Sequence, residues 1–234
     1  MRKGLYALPD APRDYLAALR MNARLTCASA ATHHGLWLLT PPTRLHVSCV
    51  GRSGGRYVNH QFRTVDPHHR LPIVGVVDTL LHALQCLPAV DAAVVVESSL
   101  RRGDTVRAFL EERLQGNRNG KARAALDLVT GCGESAIEVV ARILFRRAGF
   151  NCETQVRIDG VGRVDFVLEG FLVVEVDGDR YHSDRAARNR DRHRNNELIA
   201  RGYLHLRFSY EDIMFNQDYV LDRVRVVLSG RVIR

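Results

Sequence analysis

Three carboxylates and one imidazole fall within eighteen residues of this chain. They lie in Val164-Asp165-Phe166, Val174-Glu175-Val176-Asp177-Gly178 and Tyr181-His182. The flanking Val, Leu and Phe runs have the composition of buried strands, where an acid is rarely left without a partner. Glu175 and Asp177 are two apart, so on a strand they share one face. Clustered acids repel one another, and a bound divalent cation is the usual relief. The chemistry implied is metal-assisted cleavage of a phosphodiester, which needs neutralised phosphate charge, an activated water and a stabilised leaving oxygen.

The roles follow from residue type. Mg²⁺ prefers oxygen ligands and keeps several waters, so two carboxylates suffice, with Mn²⁺ expected to substitute. Asp165 and Glu175, on neighbouring strands, are the expected metal ligands, their alternative being ion pairs with Arg163 or Arg180. Asp177 is a third ligand or orients water or His182. His182 can act as general base, or bond the phosphate when protonated, unless it is an ordinary loop histidine. Glu138, on the preceding helix, either completes the metal shell or pairs with Arg142 at i,i+4. Downstream, Arg185, Arg188 and Arg192 recur at spacings of three and four, with Asn195 beyond them. That stripe would grip a phosphate backbone without reading sequence, or else is a solvated helix face.

These residues need a scaffold of α+β type. The periodicities predict a helix over 134–148 and strands over 154–158, 163–168 and 171–177. A helix over 184–201, a strand over 203–208 and one last helix over 210–228 follow. The order is αβββαβα. In the first half, helices are expected over 9–20 and 27–34. Short strands are expected over 37–40, 44–50 and 58–64, then helices over 73–86, 89–101, 105–114 and 122–129. A boundary near residue 130 gives a mixed, mostly helical N-terminal domain (1–130) and a C-terminal domain (131–234).

The ordered set resembles the PD-(D/E)XK, restriction-endonuclease-like superfamily. The closer resemblance is to a branch related to the very-short-patch repair endonucleases. It is carried by Ser135-Ala136-Ile137-Glu138, Val164-Asp165-Phe166, Val174-Glu175-Val176-Asp177-Gly178, Tyr181-His182, Arg190-Asp191-Arg192 and Arg207-Phe208, across about residues 134–215. The resemblance implies a Mg²⁺-dependent deoxyribonuclease acting in DNA repair, recombination or defence. It also implies a catalytic histidine at His182 and, as in many relatives, a homodimer. One departure stands out. The superfamily name implies a lysine two residues after the acid of the third strand, and Asp177 occupies that place.

The chain has 234 residues and a net charge of +8. Residues 1–130 carry 17 Lys+Arg against 10 Asp+Glu, so the basic excess is in the first half and fits a polyanionic partner. No stretch is apolar enough to span a membrane, and the start lacks a signal-peptide core, which leads to the expectation of a cytoplasmic protein. The five cysteines are an odd number without a CxxC, and read as reduced thiols rather than a disulfide frame or zinc site. Leu5-Tyr6-Ala7-Leu8, Ala28, Ala30, Ala31 and Gly35-Leu36-Trp37 resemble the region behind the winged helix of AbiEi-type antitoxin regulators, and the chain begins too late to hold that winged helix. This implies an alternative: a nucleic-acid-binding, antitoxin-like transcriptional regulator with an inactive nuclease core.

Overall fold

A computed structural model describes residues 8–51, 55–61, 68–177 and 185–232, the side chains of 185–191 and 231–232 excepted. The chain divides into two compact units, Met1–Gly131 and Cys132–Arg234. It is a mixed α/β protein, with a three-stranded sheet and a four-stranded sheet.

The first unit runs α1 (Arg13–Arg20), β1 (Arg24–Leu25), α2 (Cys27–Ala31), β2 (Leu45–Ser48) and β3 (Tyr57–Asn59). Four more helices follow: α3 (Val76–Cys86), α4 (Ala89–Arg102), α5 (Arg107–Arg113) and α6 (Gly120–Leu126). β2 is the central strand, antiparallel to β1 and parallel to β3. α4 buries Ala92 to Val96 as a continuous apolar run, and with them Glu97. Both oxygens of Glu97 are satisfied by Thr130, through its backbone N–H (2.9 Å) and its hydroxyl (3.1 Å).

Two expectations fail in this unit. Residues 37–40 form no strand, because the Trp37 N–H donates to Ser98 Oγ (3.1 Å) instead of to a ladder, and Pro41-Pro42 follows. Ile73, expected in a helix, bridges Leu25, and α3 starts only after Gly75. The two-residue β1 was missed; so short a strand leaves no periodicity to read.

The second unit runs α7 (Ala136–Arg147), β4 (Cys152–Ile158), β5 (Gly162–Leu168), β6 (Leu172–Asp177), α8 (Arg185–Ala200), β7 (Leu204–Ser209), α9 (Tyr210–Phe215) and α10 (Gln217–Val232). Ser135 caps α7 by accepting the Glu138 N–H, and Gly149 (φ 86°) follows its end. β4, β5 and β6 form an antiparallel meander, and β7 adds parallel to β6. The expected single last helix is two. Ser209 and Asp212 form a capping box that starts α9, and Asn216 (φ −127°, ψ 41°) breaks the run. The sheet core is apolar. Phe145 of α7 meets Phe166 edge-on (5.5 Å between centroids), while Leu198 of α8 packs with Val167 and Val173.

Phe166 is 1% exposed. Phe166→Ala is expected to cost about 3–4 kcal/mol by cavity formation. Urea unfolding should show a lower midpoint with an unchanged slope.

Candidate active site

Sheet register decides which side chains meet. β5 and β6 pair through Phe166↔Val174, so Asp165 and Glu175 occupy the next position along the two strands. On the other side of β6, Glu175 is in register with Arg207 of β7. β4 brings Gln155 between the Thr154↔Phe166 and Val156↔Val164 pairs, level with Asp165. A polar row, Gln155, Asp165, Glu175 and Arg207, therefore crosses all four strands. Gln155 adopts a left-handed backbone (φ 55°), unusual for a residue with a side chain, and its amide donates to Glu138 (2.7 Å).

Glu175 is buried. One oxygen pairs with Arg194 of α8 (2.6 Å), and the other accepts from His205 Nε2 (3.0 Å) and Arg207 (3.0 Å). Burial pushes its pKa up, but the hydrogen bonds from His205 and Arg207 and the Arg194 charge outweigh it and hold the carboxyl down at about 2. Asp165 has the opposite balance. Burial is the main cause, with the Glu138 and Glu175 charges adding to it, and its pKa is pushed up to about 6 although the Val176 N–H donates to it (3.0 Å). Two adjacent carboxylates whose affinities for a proton are driven apart are a candidate functional site.

Glu138 lies in the first turn of α7. It accepts from the Glu134 N–H (3.0 Å), Ser135 Oγ (2.8 Å) and Gln155, close enough to raise Asp165. Asp177 ends β6 and lies 3.6 Å from Arg207. Arg163 turns away from the acids and pairs with Glu134. Among the described residues, no three of these carboxylates bring an oxygen each within 4.8 Å of one another. Asp165 and Glu175 are the adjacent pair, and two carboxylates with waters fit a hard divalent cation.

His182 and Tyr181 lie outside the described residues. The backbones of Arg185 and Arg188 are helical, Arg192 is exposed and Asn195 is half-buried on α8. Among the described residues, the arginine of α8 that reaches the acids is Arg194, which was not singled out in the sequence. His205 was also missed. Nothing in its local sequence marks it; only the parallel pairing of β7 with β6 sets it level with Val173, next to Glu175.

Residues 137–228 match the family model REase_MTES_1575, a restriction-endonuclease-like family. Among solved structures, the catalytic domain of the homing endonuclease I-Bth0305I is similar, at 22% identity over 38% of this chain and 89% of that chain, with a TM-score of 0.33. No curated protein sequence matches. The family match covers most of the C-terminal unit.

The opposed carboxylates predict a pH signature. The pKa of Asp165 rises on folding from 3.8 to about 6, so its ionisation disfavours the folded state. Stability from this group is complete below the unfolded value and is lost as pH rises through 6. Glu175 acts in the other sense, losing its contribution as pH falls from 4.5 towards 2. Asp165→Asn should therefore stabilise the metal-free chain at pH 8 by about 1–2 kcal/mol, after allowing for solvent screening. The gain should vanish near pH 4, as measured by urea unfolding across that range.

Proposed function

We propose that the C-terminal unit is a metal-dependent endonuclease that hydrolyses DNA phosphodiester bonds, with Mg²⁺ as its ion and Mn²⁺ able to replace it. The observation that carries this reading is the pairing of Asp165 with Glu175. Both sit at neighbouring positions within adjacent strands of a restriction-endonuclease-like sheet, one held ionised and the other holding its proton unusually tightly. A divalent cation held by these two would neutralise phosphate charge and supply an activated water.

The chain's own groups divide the remaining work. Glu175 stays an anion at any working pH, so one ligand is always ready. Asp165 releases its proton as positive charge arrives. Asp177 and His182 are assigned to positioning and deprotonating the attacking water. Arg207 reaches Glu175 and Asp177 from β7 and places a cation near the position where the superfamily has its lysine. Exposed Arg192, with Arg185 and Arg188 on the same helix, is assigned to the phosphate backbone. The setting proposed is DNA repair, recombination or defence.

A second reading is supported by the Arg194–Glu175 ion pair at 2.6 Å, which satisfies one of the ligand oxygens internally. It is a nucleic-acid-binding regulator whose core no longer cuts.

Labelled single-stranded, duplex and branched DNA, with RNA alongside, separate the two. Under the first reading Mg²⁺ or Mn²⁺ supports cutting, and Asp165→Ala/Glu175→Ala lowers the rate by at least about 100-fold. His182→Ala and Asp177→Asn should each lower it by about 10–100-fold. Mg²⁺ should also raise the melting temperature of the wild type but not of the double variant. DNA binding without cutting under any of these conditions establishes the regulator instead.

A further inference from the structure

The first unit holds a cluster that the nuclease reading does not use. Cys27, His46, His60 and Cys86 each bring one possible ligand atom to a common point, all four within 4.8 Å of one another. They come from four separate places in the fold: the first residue of α2, the middle of β2, the residue after β3 and the last residue of α3. The segments between them are 18, 13 and 25 residues long, unlike any zinc-finger spacing, so the sequence hides them.

The distances can be compared with a coordination sphere. Zinc bonds of about 2.3 Å to sulfur and 2.0–2.1 Å to nitrogen in a tetrahedron give edges of about 3.3–3.4 Å between two nitrogens and 3.5–3.6 Å between sulfur and nitrogen. Here His46 Nδ1 lies 3.3 Å from His60 Nε2, and Cys86 Sγ lies 3.7 Å from His46 Nδ1. His46, His60 and Cys86 thus stand at nearly these separations, with Cys27 Sγ within 4.8 Å of each.

The backbone around them is held firmly. The Thr26 N–H donates to the His46 carbonyl (3.0 Å), the His46 N–H donates to Ser29 Oγ (2.9 Å), and the His60 N–H donates to the Val47 carbonyl (2.8 Å). Cys27 is fully buried and takes a left-handed backbone conformation (φ 50°), costly for a residue with a Cβ. That conformation starts α2 and puts the sulfur among the other three groups. The Thr26 hydroxyl does not cap the helix; it bonds His82 Nδ1 (2.6 Å), and the His82 ring stacks on His60 (4.7 Å). Packing against His82 thus supports one member of the set.

We propose that Cys27, His46, His60 and Cys86 form a structural zinc site in the N-terminal unit. Two thiolates and two imidazoles suit zinc's ligand preference, and a set of four protein groups closes the sphere, as structural rather than catalytic sites do. Two thiolate charges cancel the charge of the ion, so a neutral assembly stands beside the buried Cys27 and His46, with Cys86 at the exposed side. The ion would cross-link a sheet of very short strands to α2 and α3, a small framework with little strand pairing of its own.

The test uses the full chain, purified reduced and without chelator. About one zinc per chain is expected by mass spectrometric metal analysis. Cys86→Ser should reduce this at least tenfold, while Cys132→Ser, in the other unit, should leave it unchanged. Cobalt(II) added to metal-free wild type should give the near-ultraviolet thiolate charge-transfer band and the visible bands of tetrahedral cobalt. The carboxylates of the second unit cannot produce that charge-transfer band, and the wild-type spectrum decides the matter even if the variants fold poorly. A reduced chain that binds no zinc and gives no charge-transfer band overturns the site. So does equal binding by wild type and Cys86→Ser, or a Cys27–Cys86 disulfide that is the sole linkage found and leaves no metal affinity after reduction.

Discussion

The second unit depends on how a buried carboxylate is kept charged. Glu175 lies in β6 beside the buried Val173 and Val174, and an unpaired anion there would cost several kcal/mol. Three positive or donating groups converge on it: Arg194 from the following helix, and His205 and Arg207 from the strand after that helix. None is close to Glu175 in sequence. The parallel addition of β7 beside β6 supplies two of them, and the docking of α8 through Leu198 supplies the third. The crossover that builds the sheet and the neutralisation of its central acid are one requirement.

Asp165 shows what happens next to such an arrangement. It stands one strand away, with acids on both sides and only the Val176 N–H donating to it among the described contacts. The cations are spent on Glu175, so Asp165 answers burial by holding its proton. The pair as a whole is short of positive charge on one side. That asymmetry is an electrostatic condition under which the proposed cation would bind at Asp165 without displacing the partners that position Glu175. It also recasts the aspartate found where the superfamily has lysine. A lysine on β6 would bring its charge from the same strand; here Arg207 brings it across the β6–β7 pair and serves Glu175 and Asp177 together.

Much of the second unit was legible because its signals are local. Val-rich strands, the Asp159-Gly160 and Glu169-Gly170 turns, and the helical spacing of Ile137, Val140, Ile143 and Leu144 each involve near neighbours in sequence. The element order followed from them, and so did the acids on neighbouring strands. His205 and Arg194 were not legible, since their roles arise from strand order and helix docking. The break at Asn216 was missed because the residues on both sides have helical character and only the backbone angles at one residue separate them. The first unit was read less well. Its strands are two to four residues long, too short for alternation to show, and its Trp37 segment looks extended while bonding to a helix side chain.

Reading the cysteines by spacing alone missed the Cys27, His46, His60 and Cys86 cluster for the same reason. Regular zinc spacings arise when two ligands share one turn or hairpin, which places them together before the chain folds. Here each proposed ligand sits on a different element, so the set exists only once β2 is paired on both sides and α3 is docked beside α2. A site of this kind cannot nucleate the fold; it can only lock one already formed. Its ligands are soft thiolates and imidazoles, whereas those proposed in the second unit are hard carboxylates. Two proposed sites of such opposite character would let one chain keep a permanent structural ion and still exchange a weakly held Mg²⁺, without either ion occupying the other's place.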